Sequence, residues 1–376
     1  MSNVKKFKFT LVLISLIVLC VGVFVPIVSQ SMPAYASSSA KGMCVIEKDT
    51  GRVLYSKNMN EKLPMASTTK IMTLITVLQN CDDLDQYIQV DDLAVGVEGT
   101  SIYLRKNETI KVRDLLYGLM LRSGNDAATA LACHVGGSVK GFCKLMNELA
   151  TKIGAKNSHF NNPHGLDDPE HYTTAYDLAL ITAYALNNTI FKEVVSTKNH
   201  VIPETNMSDI RYLTNKNKLL SRLDGCVGVK TGFTSKAGRC LVSACERDNM
   251  TTVCVVLNCG PMFEESESLL NASFNEYNHT LLVDKNKEIP NKVIENTEGE
   301  RLYIYPENDF YYPLKENEKD KVEVKYNIEK STAEDGEVVG NIEIFYDNQL
   351  IKTLKLYTMN KIDKLIENNT LQLNEF

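Results

Sequence analysis

The segment Ser67-Thr68-Thr69-Lys70 places a hydroxyl and an amine three residues apart. On a helix, side chains with this spacing share one face and can hydrogen-bond to each other. A serine hydroxyl becomes an effective nucleophile when a base removes its proton, and a lysine can be that base only when it is neutral. Burial and a second cation both lower a lysine pKa. The segment therefore indicates a serine nucleophile, although an isolated match also fits a helix cap beside an exposed lysine.

Two further segments contain groups that such a nucleophile needs. In Ser123-Gly124-Asn125 the hydroxyl can relay a proton to a leaving amine and the amide can contact a substrate, although the segment also fits a helix N-cap. Lys230-Thr231-Gly232 ends a predicted strand, whose edge can pair with an extended peptide. There Lys230 supplies a second cation, Thr231 can hold a terminal carboxylate, and Gly232 leaves room for the substrate backbone. A solvated turn is the alternative for this third segment.

The order Ser-x-x-Lys, Ser-x-Asn, Lys-Thr-Gly resembles the signature of the penicillin-binding and serine β-lactamase superfamily. Within it, the neighbouring residues are similar to those of the low-molecular-weight D-alanyl-D-alanine carboxypeptidases, over about residues 40–280. The similar segments are 64–73, 123–128, 162–166, 171–177 and 229–238.

The resemblance implies a serine peptidase that releases the terminal D-alanine from peptidoglycan stem peptides through an acyl-enzyme and is inhibited covalently by β-lactams. Ser67 is implied to attack the carbonyl between the two D-alanines, with Lys70 as the base. Ser123 and Lys230 are implied to pass the proton to the departing D-alanine, and Asn125 to contact the substrate amide.

Substrate binding is expected around the third segment. The resemblance implies an oxyanion hole formed by the backbone N–H groups of Ser67 and Phe233. Arg239 follows closely and is expected to bind the terminal carboxylate, with a solvated strand residue as the alternative. His164 is expected to be structural, because serine and lysine already supply acid and base. No metal or organic cofactor is expected. The expected substrate-binding residues are Thr231, Gly232, Phe233, Thr234 and Arg239.

Two other functions remain open from the sequence. A class A β-lactamase needs the glutamate of Glu-x-x-Leu-Asn for deacylation, but the corresponding string here is Ala183-Tyr184-Ala185-Leu186-Asn187, so fast penicillin hydrolysis is not expected. A non-catalytic wall-binding or β-lactam-sensing protein is the second alternative. A sensor should contain several membrane spans and a pseudoenzyme should lack a motif residue, and the sequence fits neither description.

The periodicity of apolar residues predicts the elements that position these groups. Strands near both ends of the motif region, with helices between them, predict an α+β domain. The resemblance adds that its sheet is mostly antiparallel, flanked by helices, with the site beside a helical subdomain. The predicted elements are a hairpin over 43–56, helices over 68–79, 112–155, 174–196 and 264–282, and strands over 227–230, 239–244 and 251–257.

Short alternating strands beyond about residue 300 predict a small all-β domain that resembles the C-terminal domain of the same family, with no partner indicated. The predicted division is a signal peptide at 1–36, a catalytic domain at 37–283, a polar linker at 284–300, the β domain at 301–358 and a tail at 359–376.

The N-terminus predicts export. Three lysines precede an apolar run over about residues 10–28, and Ala34-Tyr35-Ala36 follows with the small-x-small pattern of a cleaved signal; a membrane anchor is the alternative. Action at the extracytoplasmic face of the membrane or in the wall is therefore expected. The tail is only weakly amphipathic, so membrane attachment through it is not expected. Loss of 1–36 changes the formal net charge from −6 to −9, which argues against nucleic acid as a partner.

Nine of the ten cysteines follow the predicted signal. An odd number cannot all pair internally, and paired Cys-x-x-Cys ligands for zinc are absent from the sequence. Since many of the cysteines fall in apolar runs, free and buried thiols are expected.

Overall fold

The computed structural model describes residues 38–290 and 292–360, so the predicted signal and most of the tail lie outside the described residues. The central sheet has five antiparallel strands in the order second, first, fifth, fourth, third along the chain. These are β1 (Gly42–Glu47), β2 (Val53–Lys57), β7 (Cys226–Thr234), β8 (Gly238–Arg247) and β9 (Met250–Leu257). Strand β7 therefore forms one edge of the sheet.

Both faces of this sheet are covered, which explains its continuous apolar strands. Every residue of β9 is buried, and alternate side chains of a strand point to opposite faces. Val253 and Val255 accordingly pack into the larger core with most of the helices, whereas Cys254 and Val256 pack into a second core. The helices are α1 (Lys70–Asn80), α2 (Val112–Leu121), α3 (Asn125–Gly136), α4 (Val139–Ile153), α5 (Ala175–Ala185), α6 (Thr189–Ser196), α7 (Leu219–Arg222) and α8 (Met262–Glu276).

Helix α1 connects the sheet to the helical part of the domain. Eight of its residues are buried, because it packs against the five helices α2 to α6 as well as β7. Two small hairpins complete this part of the fold. They are β3 (Tyr87–Gln89) with β4 (Thr109–Lys111), and β5 (Asn199–Ile202) with β6 (Arg211–Thr214).

The C-terminal part is all β and has its own apolar core. Its strands are β10 (Asn278–Val283), β11 (Val293–Glu295), β12 (Arg301–Pro306), β13 (Phe310–Leu314), β14 (Val322–Ile328), β15 (Val338–Tyr346) and β16 (Gln349–Met359). Five of them form a sheet in the order β11-β12-β16-β15-β14, and β10 pairs with β13.

Arg52, on the loop before β2, joins the two domains. Its guanidinium carbon lies 5.3, 4.9 and 4.4 Å from the ring centroids of Tyr277, Tyr312 and Tyr346. The guanidinium also forms an ion pair of 2.8 Å with Glu318 and donates to the Tyr346 hydroxyl. Only 9% of its side chain is exposed, so the pair is largely desolvated. We refer to these five residues as the Arg52 cage.

The predicted fold class is confirmed: a mostly antiparallel sheet flanked by helices, followed by an all-β domain. Three local expectations were wrong. The single helix predicted over 174–196 is two helices, α5 and α6, separated by residues 186–188. The helix predicted over 264–282 ends at Glu276, and 278–283 is the strand that pairs with β13. The predicted linker contains β11, which pairs with β12, and buries Ile289 and Ile294 in the core of the β domain. Within the described residues, helices with the length and apolarity required to cross a membrane are absent.

Candidate active site

Ser67 lies in a 3₁₀ turn, Ala66–Thr69, that leads directly into α1. The turn begins with a positive φ of 50° at Ala66, which an alanine adopts only at an energetic cost. Lys70, the first residue of α1, follows one turn after the serine. Its Nζ lies 3.0 Å from Ser67 Oγ, so the hydroxyl and the amine of the first motif are in hydrogen-bond contact.

Lys70 is completely buried, and its Nζ is surrounded by oxygen atoms of uncharged groups. Besides Ser67 Oγ, Nζ donates to Asn125 Oδ1 and to the backbone carbonyl of His164, each at 2.7 Å. Burial lowers the pKa of Lys70 well below its ordinary value, and the positive charges of Lys230 and Lys216 lower this pKa further. The structure thus favours the neutral amine, the form that can accept a proton.

The second motif lies at the start of α3. Ser123 has a positive φ of 64°, and its Oγ is buried without a hydrogen-bond partner among the described residues. The hydroxyl of Thr100 donates to the carbonyl of Ser123, which fixes this strained turn. Asn125 Nδ2 donates to Glu98 O at 2.6 Å, and this leaves its Oδ1 for Lys70.

The third motif is on the edge strand β7. Lys230 is 2% exposed, and its Nζ donates to the carbonyl of Thr231 at 2.8 Å. Burial lowers the pKa of Lys230 to about 7, with a further contribution from the charge of Lys216. A Cβ atom at Gly232 would lie 3.0 Å from Ser67 N, closer than normal packing allows. The glycine therefore lets β7 run alongside the turn that carries Ser67.

The three motifs meet at a cavity of about 430 Å³. Seven of the ten sequence-predicted site residues line it, while Lys70 and Lys230 are buried nearby. The lining residues are Ser67, Gly99, Thr100, Ser123, Asn125, His164, Gly165, Leu166, Lys216, Thr231, Gly232, Phe233, Thr234, Met262 and Phe263.

Lys216 is a cavity residue that the sequence did not reveal. It lies between β6 and α7, in the polar segment Asn215-Lys216-Asn217-Lys218, which has no distinguishing pattern. Burial lowers the pKa of Lys216, and the charge of Arg122 lowers it further. Its charge in turn lowers the pKa values of both motif lysines, and as the one amine among the described lining residues it can attract an anionic ligand into the cavity.

Arg239 is not among the residues that line the cavity. Its side chain is exposed, and its backbone pairs with Phe233 across β7 and β8. The structure therefore favours the alternative that we considered, a solvated strand residue. Thr234, by contrast, does line the cavity: its Oγ1 donates to Asp167 at 2.8 Å and accepts from Ala237 N.

His164 contributes its carbonyl, rather than its ring, to the contact with Lys70. Burial lowers the pKa of His164 to about 3, and the charges of Lys70 and His171 act in the same direction. Its imidazole is therefore neutral under ordinary conditions, which agrees with the structural role expected from the sequence.

Comparison with known proteins identifies the family. Residues 28–260 match the D-alanyl-D-alanine carboxypeptidase family of peptidases, and residues 277–364 match the C-terminal domain of penicillin-binding protein 5. The second match begins at the end of α8, where the described C-terminal strands also begin.

Individual relatives agree with this assignment. D-alanyl-D-alanine carboxypeptidase DacF of Bacillus subtilis is 34% identical over 280 residues, covering 70% of this chain and 72% of the relative. The crystal structure of penicillin-binding protein 5 from Haemophilus influenzae superposes with a TM-score of 0.71 at 26% identity, covering 86% of this chain and 97% of that one. A DD-transpeptidase variant from Streptomyces gives a TM-score of 0.59 at 34% identity, over 64% of this chain and 97% of its own. The chain thus belongs to the D-alanyl-D-alanine carboxypeptidase family of serine peptidases.

Proposed function

We propose that this chain removes the terminal D-alanine from peptidoglycan stem peptides through an acyl-enzyme at Ser67. The observation that carries the proposal is the contact between Ser67 Oγ and the buried Nζ of Lys70. A neutral amine has two N–H groups, and Asn125 Oδ1 and His164 O accept both. Its lone pair then faces the serine hydroxyl, so Lys70 takes the proton as Oγ attacks the carbonyl carbon.

The substrate backbone binds in extended form along β7, the edge strand. In the tetrahedral intermediate the oxyanion accepts hydrogen bonds from the N–H groups of Ser67 and Phe233. Thr231 and Lys216 bind the terminal carboxylate, with Lys216 in the role expected for Arg239. Both residues line the cavity, which supports this assignment.

Departure of D-alanine requires a proton on its amine. Ser123 Oγ, which lacks a protein partner among the described residues, relays this proton between Lys230 and the leaving nitrogen. Water then attacks the acyl carbon, and its proton passes to Ser67 Oγ as the ester bond breaks and the shortened peptide leaves. The proton that Lys70 took from Ser67 replaces the one that Lys230 gave to the leaving amine. An amine acceptor in place of water would give transpeptidation, the activity named for the Streptomyces relative.

β-Lactams follow the same first step and remain bound as long-lived acyl-enzymes. Among the described residues that line the cavity none is acidic, and Ala183 is buried in α5 where a class A β-lactamase would need its glutamate. This observation favours slow deacylation. The proposed place of action is the extracytoplasmic face of the membrane or the wall, with residues 1–36 as the export signal and with strands β10 to β16 as the β domain that follows the catalytic domain.

The test is direct. The purified chain is incubated with a stem pentapeptide, and mass spectrometry follows free D-alanine, the tetrapeptide and any cross-linked dimer. We expect the tetrapeptide as the main product, and its formation should stop in Ser67→Ala. The variant Ser235→Ala, which changes an exposed serine that does not line the cavity, is the matched control. Full activity in Ser67→Ala, or many penicillin turnovers per second, would contradict the proposal.

A further inference from the structure

A chain of three hydrogen bonds ends at the residue before the nucleophile. Asn161 N donates to His171 Nδ1 at 3.0 Å, His171 Nε2 lies 2.8 Å from Thr69 Oγ1, and Thr69 Oγ1 donates to Ala66 O at 2.8 Å. Neither the motifs nor the proposed mechanism uses His171. The direction of every bond in this chain can be worked out from chemistry.

A backbone N–H can only donate, so Nδ1 of His171 must be the acceptor in the contact with Asn161. A neutral imidazole without a proton on Nδ1 carries it on Nε2, and this N–H then donates to Thr69 Oγ1. The hydroxyl proton of Thr69 is left to donate to Ala66 O. All three hydrogen bonds are therefore donated in the same direction, from the loop at residue 161 toward the turn that holds Ser67.

The surroundings keep this arrangement intact. His171 is 3% exposed, and Thr69 and Ala66 are at most 1% exposed. Burial lowers the pKa of His171 to about 4, with Asp168 opposing the decrease and the charges of His159 and Lys70 adding to it. The ring is therefore neutral near pH 7.

The last acceptor is informative because it belongs to a strained residue. Ala66 has a φ of 50°, and Gly165 packs so closely on its carbonyl that a Cβ there would lie 1.9 Å from Ala66 O. The carbonyl of Ala66 and the N–H of Ser67 belong to one planar peptide unit and point in opposite directions. A hydrogen bond that fixes Ala66 O therefore also fixes the direction of the Ser67 N–H.

We propose that His171 and Thr69 are positioning residues that orient the Ala66–Ser67 peptide plane, so that the Ser67 N–H points at the developing oxyanion. This role rests on the proposed function. If these hydrogen bonds are lost, formation of the acyl-enzyme should slow more than substrate binding weakens, because the Ser67 N–H stabilises the oxyanion mainly in the transition state.

The main test compares isosteric changes at Thr69. Thr69→Val keeps the shape but lacks the hydroxyl, whereas Thr69→Ser keeps the hydroxyl. We expect the acylation rate constant for a chromogenic cephalosporin, and kcat for the pentapeptide, to fall at least about 10-fold in Thr69→Val with a change in KM below about 3-fold. Thr69→Ser should retain most of the activity. Thr76→Val, in the helix that follows this turn, is the matched control, because the buried Thr76 hydroxyl has no hydrogen-bond partner among the described residues.

A second measurement observes the tautomer in the wild-type chain and uses a variant only to assign the signal. Nitrogen-15 NMR of the wild-type imidazole, assigned with His171→Gln, should show a proton on Nε2 and none on Nδ1 at neutral pH. A proton on Nδ1, or normal acylation in Thr69→Val, would overturn the positioning role while leaving the proposed function intact. A wild-type chain that forms no acyl-enzyme would instead overturn both.

Discussion

Asn125 Oδ1 accepts a hydrogen bond of 2.7 Å from Lys70 Nζ, so the second motif contacts the amine of the first directly. The acceptor is an uncharged amide oxygen, and this matters because a carboxylate in its place would stabilise the ammonium form. Asn125 consequently affects the protonation of Lys70 in addition to any contact with the substrate. Replacing Asn125 by aspartate changes the charge at this position while nearly preserving the shape of the side chain.

Asn125→Asp should raise the pKa of Lys70, because an opposite charge at this distance favours the protonated amine. A protonated Lys70 cannot accept the serine proton, so we expect acylation by penicillin at neutral pH to fall about 100-fold. The acid limb of the pH profile should move to higher pH. Stopped-flow acylation rates across the pH range measure both effects.

The matched control for this exchange is Asn187→Asp. Asn187 Oδ1 also accepts a hydrogen bond from a lysine, Lys48, but this pair is exposed and does not line the cavity. We expect its pH profile to remain that of the wild type. An unshifted acid limb in Asn125→Asp would count against Lys70 as the base.

Lys216→Gln should shift both limbs of the pH profile of acylation in the same direction. The charge of Lys216 lowers the pKa values of Lys70 and Lys230, so its removal raises both. Lys70 acts when neutral, which moves the acid limb to higher pH. Lys230 acts when protonated, with a pKa of about 7 in the wild type, which moves the alkaline limb to higher pH as well.

Lys216→Gln should also raise KM for peptides that end in a carboxylate by about 10-fold. KM for a peptide with an amidated C-terminus should change less. Lys218→Gln removes a cation only two residues away, one that lies 5.8 Å from the Phe263 ring, and provides the comparison. Limbs that move in opposite directions would show that the two amines do not have the assigned protonation states.

Arg52→Ala should weaken the connection between the two domains. It removes a largely buried cation from the Arg52 cage and leaves Glu318 without its ion-pair partner, at a cost of about 3–5 kcal/mol. We expect urea unfolding, followed by tyrosine fluorescence, to change from one transition to two as the β domain unfolds first. Lys315→Gln breaks a more exposed pair with Glu276 and should cost less than about 1 kcal/mol. A single unfolding transition in Arg52→Ala, at the wild-type urea concentration, would show that the Arg52 cage does not stabilise the connection between the domains.

Thiol reactivity should divide the nine described cysteines into two groups, all of which are free thiols in this structure. Cys81, Cys133 and Cys226 are partly exposed, and a hydrogen bond from Cys245 lowers the pKa of Cys226. We expect iodoacetamide to modify Cys226 fastest in the native protein, then the other two, and the remaining six only in denaturant. Peptide mapping by mass spectrometry gives the order, and rapid native labelling of a buried thiol such as Cys254 would contradict the core described here.

The sequence predicted most of the fold, because the buried strands and helices carry strong periodic signals. Strand β9 and helix α1 are buried over most of their length and carry regularly placed apolar residues, and the structure has both close to the predicted bounds. The failures occur where the signal is short. Strand β11 has only three residues, and its pairing with β12 depends on a turn rather than on periodicity.

The residues of the site also differ in how well the sequence predicted them. The motif residues were found because their types and order are distinctive, whereas Lys216 reaches the cavity from a polar loop whose path depends on tertiary packing. Arg239 was chosen for its nearness in sequence to the third motif. Its own side chain is exposed although residues 240–245 of the same strand are buried, and nearness in sequence to the motif does not indicate that difference.

The close approach of Gly165 to Ala66 O has an evolutionary consequence. Any missense change at this codon adds a side chain at a φ of 90°, directly against the carbonyl whose direction sets the nucleophile turn. We therefore expect a substitution that narrowed the cavity against a β-lactam at this position to impair hydrolysis of the peptide substrate as well. We expect resistant lineages to retain the glycine and to acquire changes in enzyme abundance or drug entry instead.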